Sequence, residues 1–144
     1  MTPASARAAS ATPRPVTGPQ AWTGHDLRRS DGWRHRLGDV ERAEIATAVE
    51  DVSRRGLAIL DVGRADFPLP TLGPRIAALT DEVENGRGVA MIHGVPIGDH
   101  DRESVRTLYW GFGVHAGIPI SQNSKGQLIS EVTDKGNDYG DINA

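Results

Sequence analysis

Three apolar stripes at helical spacing, separated by only short strand candidates, constrain this chain more than any other feature. Ile45, Val49 and Val52 recur at steps of four and three, with Ala48 filling the stripe. Leu72, Ile76, Leu79 and Val83 recur at steps of four, three and four. Val105, Leu108, Tyr109 and Phe112 share a third face. Such spacing gathers apolar side chains on one side of an α-helix, and each such side must be covered. Burying the four residues of the second stripe would contribute about 6–12 kcal/mol before conformational entropy is charged.

Boundary residues agree with the stripes. Asp39 is placed to cap a helix over residues 40–55, with Arg54 and Arg55 in its last turn and Gly56 as a left-handed stop. Thr71 is placed to cap the second helix, Pro74 sits in its first turn, and Asn85-Gly86 ends it. The third helix starts near Asp101, and Gly111, Gly113 and Gly117 are read as its end. Leu57–Leu60, Val89–His93 and Leu128–Val132 read as short strands, with Ile118-Pro119-Ile120 extended by the restriction proline places on its neighbour. Strands this few and short leave sheet edges unpaired, so the expectation is that their partners lie elsewhere.

Around this body the chain is polar. Residues 1–18 are rich in Ala, Pro, Thr and Ser and read as a disordered tail, with 19–144 forming the folded part. Trp22 and Trp33 lie in a polar segment without periodicity and read as anchors that strap it to the body. Thr133–Ala144 is polar and turn-rich.

Composition narrows the chemistry. The 144 residues suffice for one domain and carry a formal net charge of −3. No Lys/Arg run tracks phosphates or anionic lipid, and no apolar run spans a bilayer, so neither nucleic acid nor membrane is an expected partner. Cysteine is absent, which removes disulfides, thiolate nucleophiles and Cys-ligated metals and suits a cytoplasmic setting.

Local motifs announce no catalytic group. Gly111-Phe112-Gly113-Val114-His115-Ala116 matches a dinucleotide-binding pattern, but a helical stripe precedes it and Gly117 and Pro119 follow, so it reads as a glycine-rich helix end. Of His25, His35, His93, His100 and His115, none has a carboxylate two residues on, the spacing that puts two ligands on one strand face. No metal ligand and no catalytic residue is expected within the chain.

Three stretches taken in order carry a resemblance. They are Phe67-Pro68-Leu69-Pro70-Thr71-Leu72-Gly73-Pro74-Arg75, then Gly86-Arg87-Gly88-Val89-Ala90-Met91-Ile92-His93-Gly94-Val95-Pro96, then Tyr109 to Gly113 with Ile118 to Asn123 and Val132 to Gly136. Together they resemble the N-terminal part of the taurine dioxygenase-like group of iron(II)/2-oxoglutarate-dependent oxygenases, with His93 standing where that group carries Arg. The resemblance implies an α+β fold, the N-terminal helices and first strands of an incomplete double-stranded β-helix (jelly roll). It implies oxidation of a small-molecule substrate by Fe(II) and 2-oxoglutarate, held by two His, a carboxylate and an Arg that map nowhere in Met1–Ala144. The chain alone is therefore expected to bind neither and to be inactive. By position, the resemblance puts Ser121, Gln122 and Asn123 nearest the substrate; a polar turn after Pro119 is the alternative reading of the same residues. The alternative for the whole chain is a non-catalytic binding or regulatory module on the same helical front.

Overall fold

The computed structural model describes residues 14–130. Its elements are α1 (Gly24–Arg28), β1 (Arg34–Arg36), α2 (Asp39–Arg55), α3 (Leu72–Asn85), β2 (Met91–His93) and α4 (Arg102–Ala116), with single 3-10 turns at Ile59–Asp61 and Ile97–Asp99. The chain packs α4 against both α2 and α3. β1 and β2 pair in parallel, with Arg34 opposite Met91, His35 opposite Ile92 and Arg36 opposite His93. Among the described residues this pair is the only β-structure.

The stripe on α2 does what its spacing predicts: Ile45, Ala48, Val49 and Val52 are buried. Gly38, one residue before the expected Asp39, is the N-cap, and its N–H donates to the Glu41 carboxylate at 2.8 Å. Gly56 ends α2 in the left-handed conformation (φ 61°), which glycine adopts without a Cβ penalty.

α3 starts where expected but is capped differently. The Thr71 side chain makes no cap bond. Instead Glu44, on α2, reaches across and accepts from the backbone N–H groups of Thr71 at 2.9 Å and Leu72 at 3.0 Å. The first turn of α3 holds no acid of its own, so the carboxylate that complements its positive end comes from the neighbouring helix.

α4 corrects two expectations. The helix runs through Gly111 and Gly113 and ends only at Gly117. Gly111 is needed inside it because Phe67 lies against its backbone: a Cβ there would fall 2.5 Å from the ring. The buried face is also rotated from the expected one. Thr107, Leu108, Trp110, Gly111 and Val114 are buried, whereas Tyr109 is exposed. Trp110 turns inward because its indole N–H finds a buried acceptor, the Val62 carbonyl, at 2.9 Å.

The expected strand at Leu57–Leu60 is instead coil and the 3-10 turn Ile59–Asp61. Leu57 and Ile59 still pack on the core, so the apolar run reports burial rather than extension. Of the expected strand Leu128–Val132, residues 128–130 form no strand, and 131–132 lie outside the described residues, as do 133–144. Of the expected tail, 14–18 is exposed and carries no helix or strand, while 1–13 lies outside the described residues.

Of the two tryptophans, Trp22 bonds outside the polar segment, whereas the hydrogen bond of Trp33 stays within it. Trp22 donates to the Arg87 carbonyl at 2.8 Å and Trp33 to the Leu27 carbonyl at 3.0 Å. The core beneath is centred on Ile45, Phe67 and Leu72, all fully buried.

Candidate functional site

Among the described residues an apolar groove of 590 Å³ opens to solvent. Its floor follows from the stripes. The second stripe is buried at Leu72 and Ile76, but Leu79 is only half-buried and Val83 is 43% exposed, so the C-terminal half of α3 emerges into the groove. Ile92 on β2 and Phe112 on α4 continue the wall. The extended segment after α4 forms the rim, with Ile118 90% and Ile120 70% exposed and Tyr109 beside them at 70%. Tyr109 belongs to the expected third stripe, whereas Ile118 and Ile120 are expected only to be extended. The signal for the two isoleucines is local, since residues flanking a proline do not continue the helix that precedes them.

The three residues placed nearest substrate by resemblance occupy one turn at the groove's end. Gln122 lines the groove. Asn123 lines a second, polar hollow with Arg106, Gln127, Ile129 and Ser130, and Ser121 lines neither. Their side chains bond within the turn. Ser121 Oγ donates to the Asn123 carbonyl at 2.8 Å, and Gln122 Nε2 donates to the Ile120 carbonyl at 3.0 Å. Asn123 Oδ1 accepts from the N–H groups of Lys125 and Gln127, and its Nδ2 donates to Gln127 Oε1 at 2.6 Å. Gly126 closes the turn at φ 75°. An asparagine accepting from backbone two residues on is the ordinary way such a turn is held.

The histidines do not converge. His115 hydrogen-bonds the Phe67 carbonyl through Nε2 at 2.8 Å, and Arg64 donates to the Val114 carbonyl at 2.6 Å, so both tie the end of α4 to the loop before α3. No group of three or more His, Asp or Glu that could hold a metal ion occurs among the described residues.

The shifted acids are structural. Hydrogen bonds from Arg75, and then from the Gly38 N–H, hold the Glu41 carboxyl below its ordinary range. Asp101 is held low by the Ser104 backbone N–H that it caps at 2.8 Å. Neither lines the groove.

Among the described residues no helix is long and apolar enough to cross a membrane. No family model matches the sequence. The chain is nevertheless related to an enzyme. It is 30% identical over 123 residues to FR-33289 synthase of Streptomyces rubellomurinus, a match covering 85% of this chain and 36% of that protein. The chain thus spans little more than a third of that relative's length.

Proposed function

We infer that this chain forms the helical front of an Fe(II)- and 2-oxoglutarate-dependent oxygenase that hydroxylates or otherwise oxidises a small molecule. The observation that carries the reading is the match to a synthase over 123 residues, 36% of that enzyme's length, in a chain whose ordered motifs resemble the oxygenase group. In that setting β1 and β2 belong to an α+β jelly roll, and the Ser121–Gln122–Asn123 turn stands at the substrate mouth. The described residues do not fit the metal, since they bring no three donors together. Iron and cosubstrate would be held by residues outside the described ones, and when bound they would supply the oxidising chemistry. This chain's own contribution would be an apolar wall of the chamber, with Gln122 at the end of that wall.

Oxygen uptake with Fe(II) and 2-oxoglutarate tests the reading. The isolated chain should bind no stoichiometric iron and consume no oxygen; turnover by the chain alone would overturn the assignment of roles. Sequencing beyond the codon for Ala144 is the direct check, because the reading requires a His-x-Asp pair soon after it.

The closed helical core, with Ile45, Phe67 and Leu72 fully buried, favours a second reading: a non-catalytic binding or regulatory module. It requires a monodisperse chain with a sharp two-state urea transition and a continuation without the metal motif.

A further inference from the structure

Asn85-Gly86 closes α3, and it is also a chemically labile pair. A glycine after an asparagine leaves its backbone nitrogen unshielded by a Cβ, so that nitrogen can reach the asparagine Cγ. We propose that Asn85 is a self-modification site, converted to aspartate and isoaspartate whenever the last turn of α3 opens. In the step, the Gly86 nitrogen gives its proton to solvent base and attacks Asn85 Cγ. The Cγ–Nδ2 bond breaks and Nδ2 leaves as ammonia. Water then opens the cyclic imide at either carbonyl, so amide and water become acid and ammonia with no oxidant or reductant.

The folded chain holds both reacting groups back. The Gly86 N–H donates to the Glu82 carbonyl at 3.1 Å, which keeps its proton in place. Asn85 Nδ2 donates to Asp81 Oδ1 at 2.8 Å, which ties the amide to the preceding turn of the helix. Glu82 fixes the same end further. Its carbonyl also accepts from the Gly88 N–H at 3.2 Å, and its Oε1 accepts from the Arg87 N–H at 3.1 Å. Asn85 is nonetheless exposed, and helix ends open far more readily than helix centres. Reaction therefore waits on one turn rather than on global unfolding. The glycine half of the pair is fixed by packing, since a Cβ at residue 86 would fall 2.8 Å from the Glu82 carbonyl oxygen.

The product reaches beyond the turn. A new carboxylate joins Asp81, Glu82 and Glu84 near the negative end of α3, where the last turn holds no basic residue. Isoaspartate also adds a main-chain atom between residues 85 and 86. Two residues on, the Arg87 carbonyl accepts from the Trp22 indole N–H at 2.8 Å. Modification at Asn85 should thus shift that acceptor and loosen the segment that Trp22 holds to the body.

The 144-residue chain is aged in mildly alkaline buffer, folded and in unfolding urea, and peptide-level mass spectrometry reads each product. Asn123, followed by Ser124 with its Cβ, is the internal comparison. In urea Asn85 should react well ahead of Asn123 and give both isomers. In the folded chain Asn85 should react about tenfold or more slowly than in urea. Asp81→Ala frees the amide and should raise the folded-state rate about two- to tenfold, with the urea rate unchanged. Indole N–H exchange by NMR, with the Trp22 signal assigned through Trp22→Phe, reads the consequence. It should quicken at Trp22 in the purified isoaspartate form and stay unchanged at Trp110, which bonds the Val62 carbonyl.

No product at Asn85 in urea would overturn the site, and aspartate without isoaspartate would overturn the imide route. Equal rates in the folded and unfolded parent would overturn the gating by α3, whether or not Asp81→Ala folds. Unchanged Trp22 exchange in the isoaspartate form would overturn the link to the anchored segment.

Discussion

The ring of Phe67 occupies the space that a side chain on Gly111 would need: an ideal Cβ there falls 2.5 Å from Cδ1 and Cε1. Phe67 is fully buried and the obstacle is a rigid ring, so neither partner can move away cheaply. Gly111→Ala should therefore destabilise by about 1–3 kcal/mol despite alanine's better helix propensity. Gly113, two residues on in the same helix, has nothing within 4 Å of its ideal Cβ. Gly113→Ala should stabilise by about 0.5–1 kcal/mol. Urea unfolding of both variants checks the pair, and equal effects would show that the Phe67 contact does not govern the helix.

This contrast marks where the sequence stops being legible. Glycines at 111, 113 and 117 resemble one terminator, because a glycine required by a neighbour 44 positions away (111 − 67) looks the same as one that ends a helix. The stripes on α2 and α3 were readable because one periodicity sets one buried face. On α4 two aromatic neighbours, Tyr109 and Trp110, compete for that face, and the Val62 carbonyl decides it through a hydrogen bond no local pattern encodes. β1 was missed for a similar reason. Arg-His-Arg has no apolar alternation, and its extension comes from pairing with β2. Leu79 and Val83 continue the α3 stripe in spacing, but the expected burial stops at Ile76, and their half of the helix lines the groove instead.

The cap on α3 offers a test that separates side chain from position. Glu44→Ala removes the acceptor shared by the Thr71 and Leu72 N–H groups and should cost about 1 kcal/mol, within the range of lost N-caps. Thr71→Ala should cost less, about 0.5 kcal/mol or under, because that hydroxyl makes no cap bond. Sequence-level capping rules put the larger loss at Thr71, so the order of the two unfolding midpoints decides.

Glu41 gives the fold an acid-sensitive point. Its carboxylate is buried, accepts from Arg75 at 2.6 and 2.8 Å, and is held below its ordinary value of 4.5. A carboxyl with a depressed folded pKa contributes stability that is present above its unfolded value and lost as pH falls through the folded one. Stability should thus decline progressively below about pH 4.5, the ordinary value, and this decline should be shallower in Glu41→Gln. Arg75→Met leaves the buried carboxylate accepting from the Gly38 N–H without its cationic partner and should cost about 2–4 kcal/mol at neutral pH. Urea midpoints across pH 3–7 for the three proteins provide the measurement.

The groove rim and the core should respond oppositely to polarity. Leu72 is fully buried among Ile45 and Phe67, so Leu72→Ala removes packed surface and should cost about 2–5 kcal/mol. Ile118 is 90% exposed, and its loss removes almost no packing in the chain alone. Ile118→Asp should leave the unfolding midpoint within about 0.5 kcal/mol of the parent. It should also lower binding of a hydrophobic dye such as ANS, because an apolar rim beside an open apolar groove attracts one. Both readouts come from the isolated chain. A large loss of stability in Ile118→Asp would mean the rim is already covered there, whereas unchanged dye binding would mean the groove is not the exposed apolar surface its lining describes.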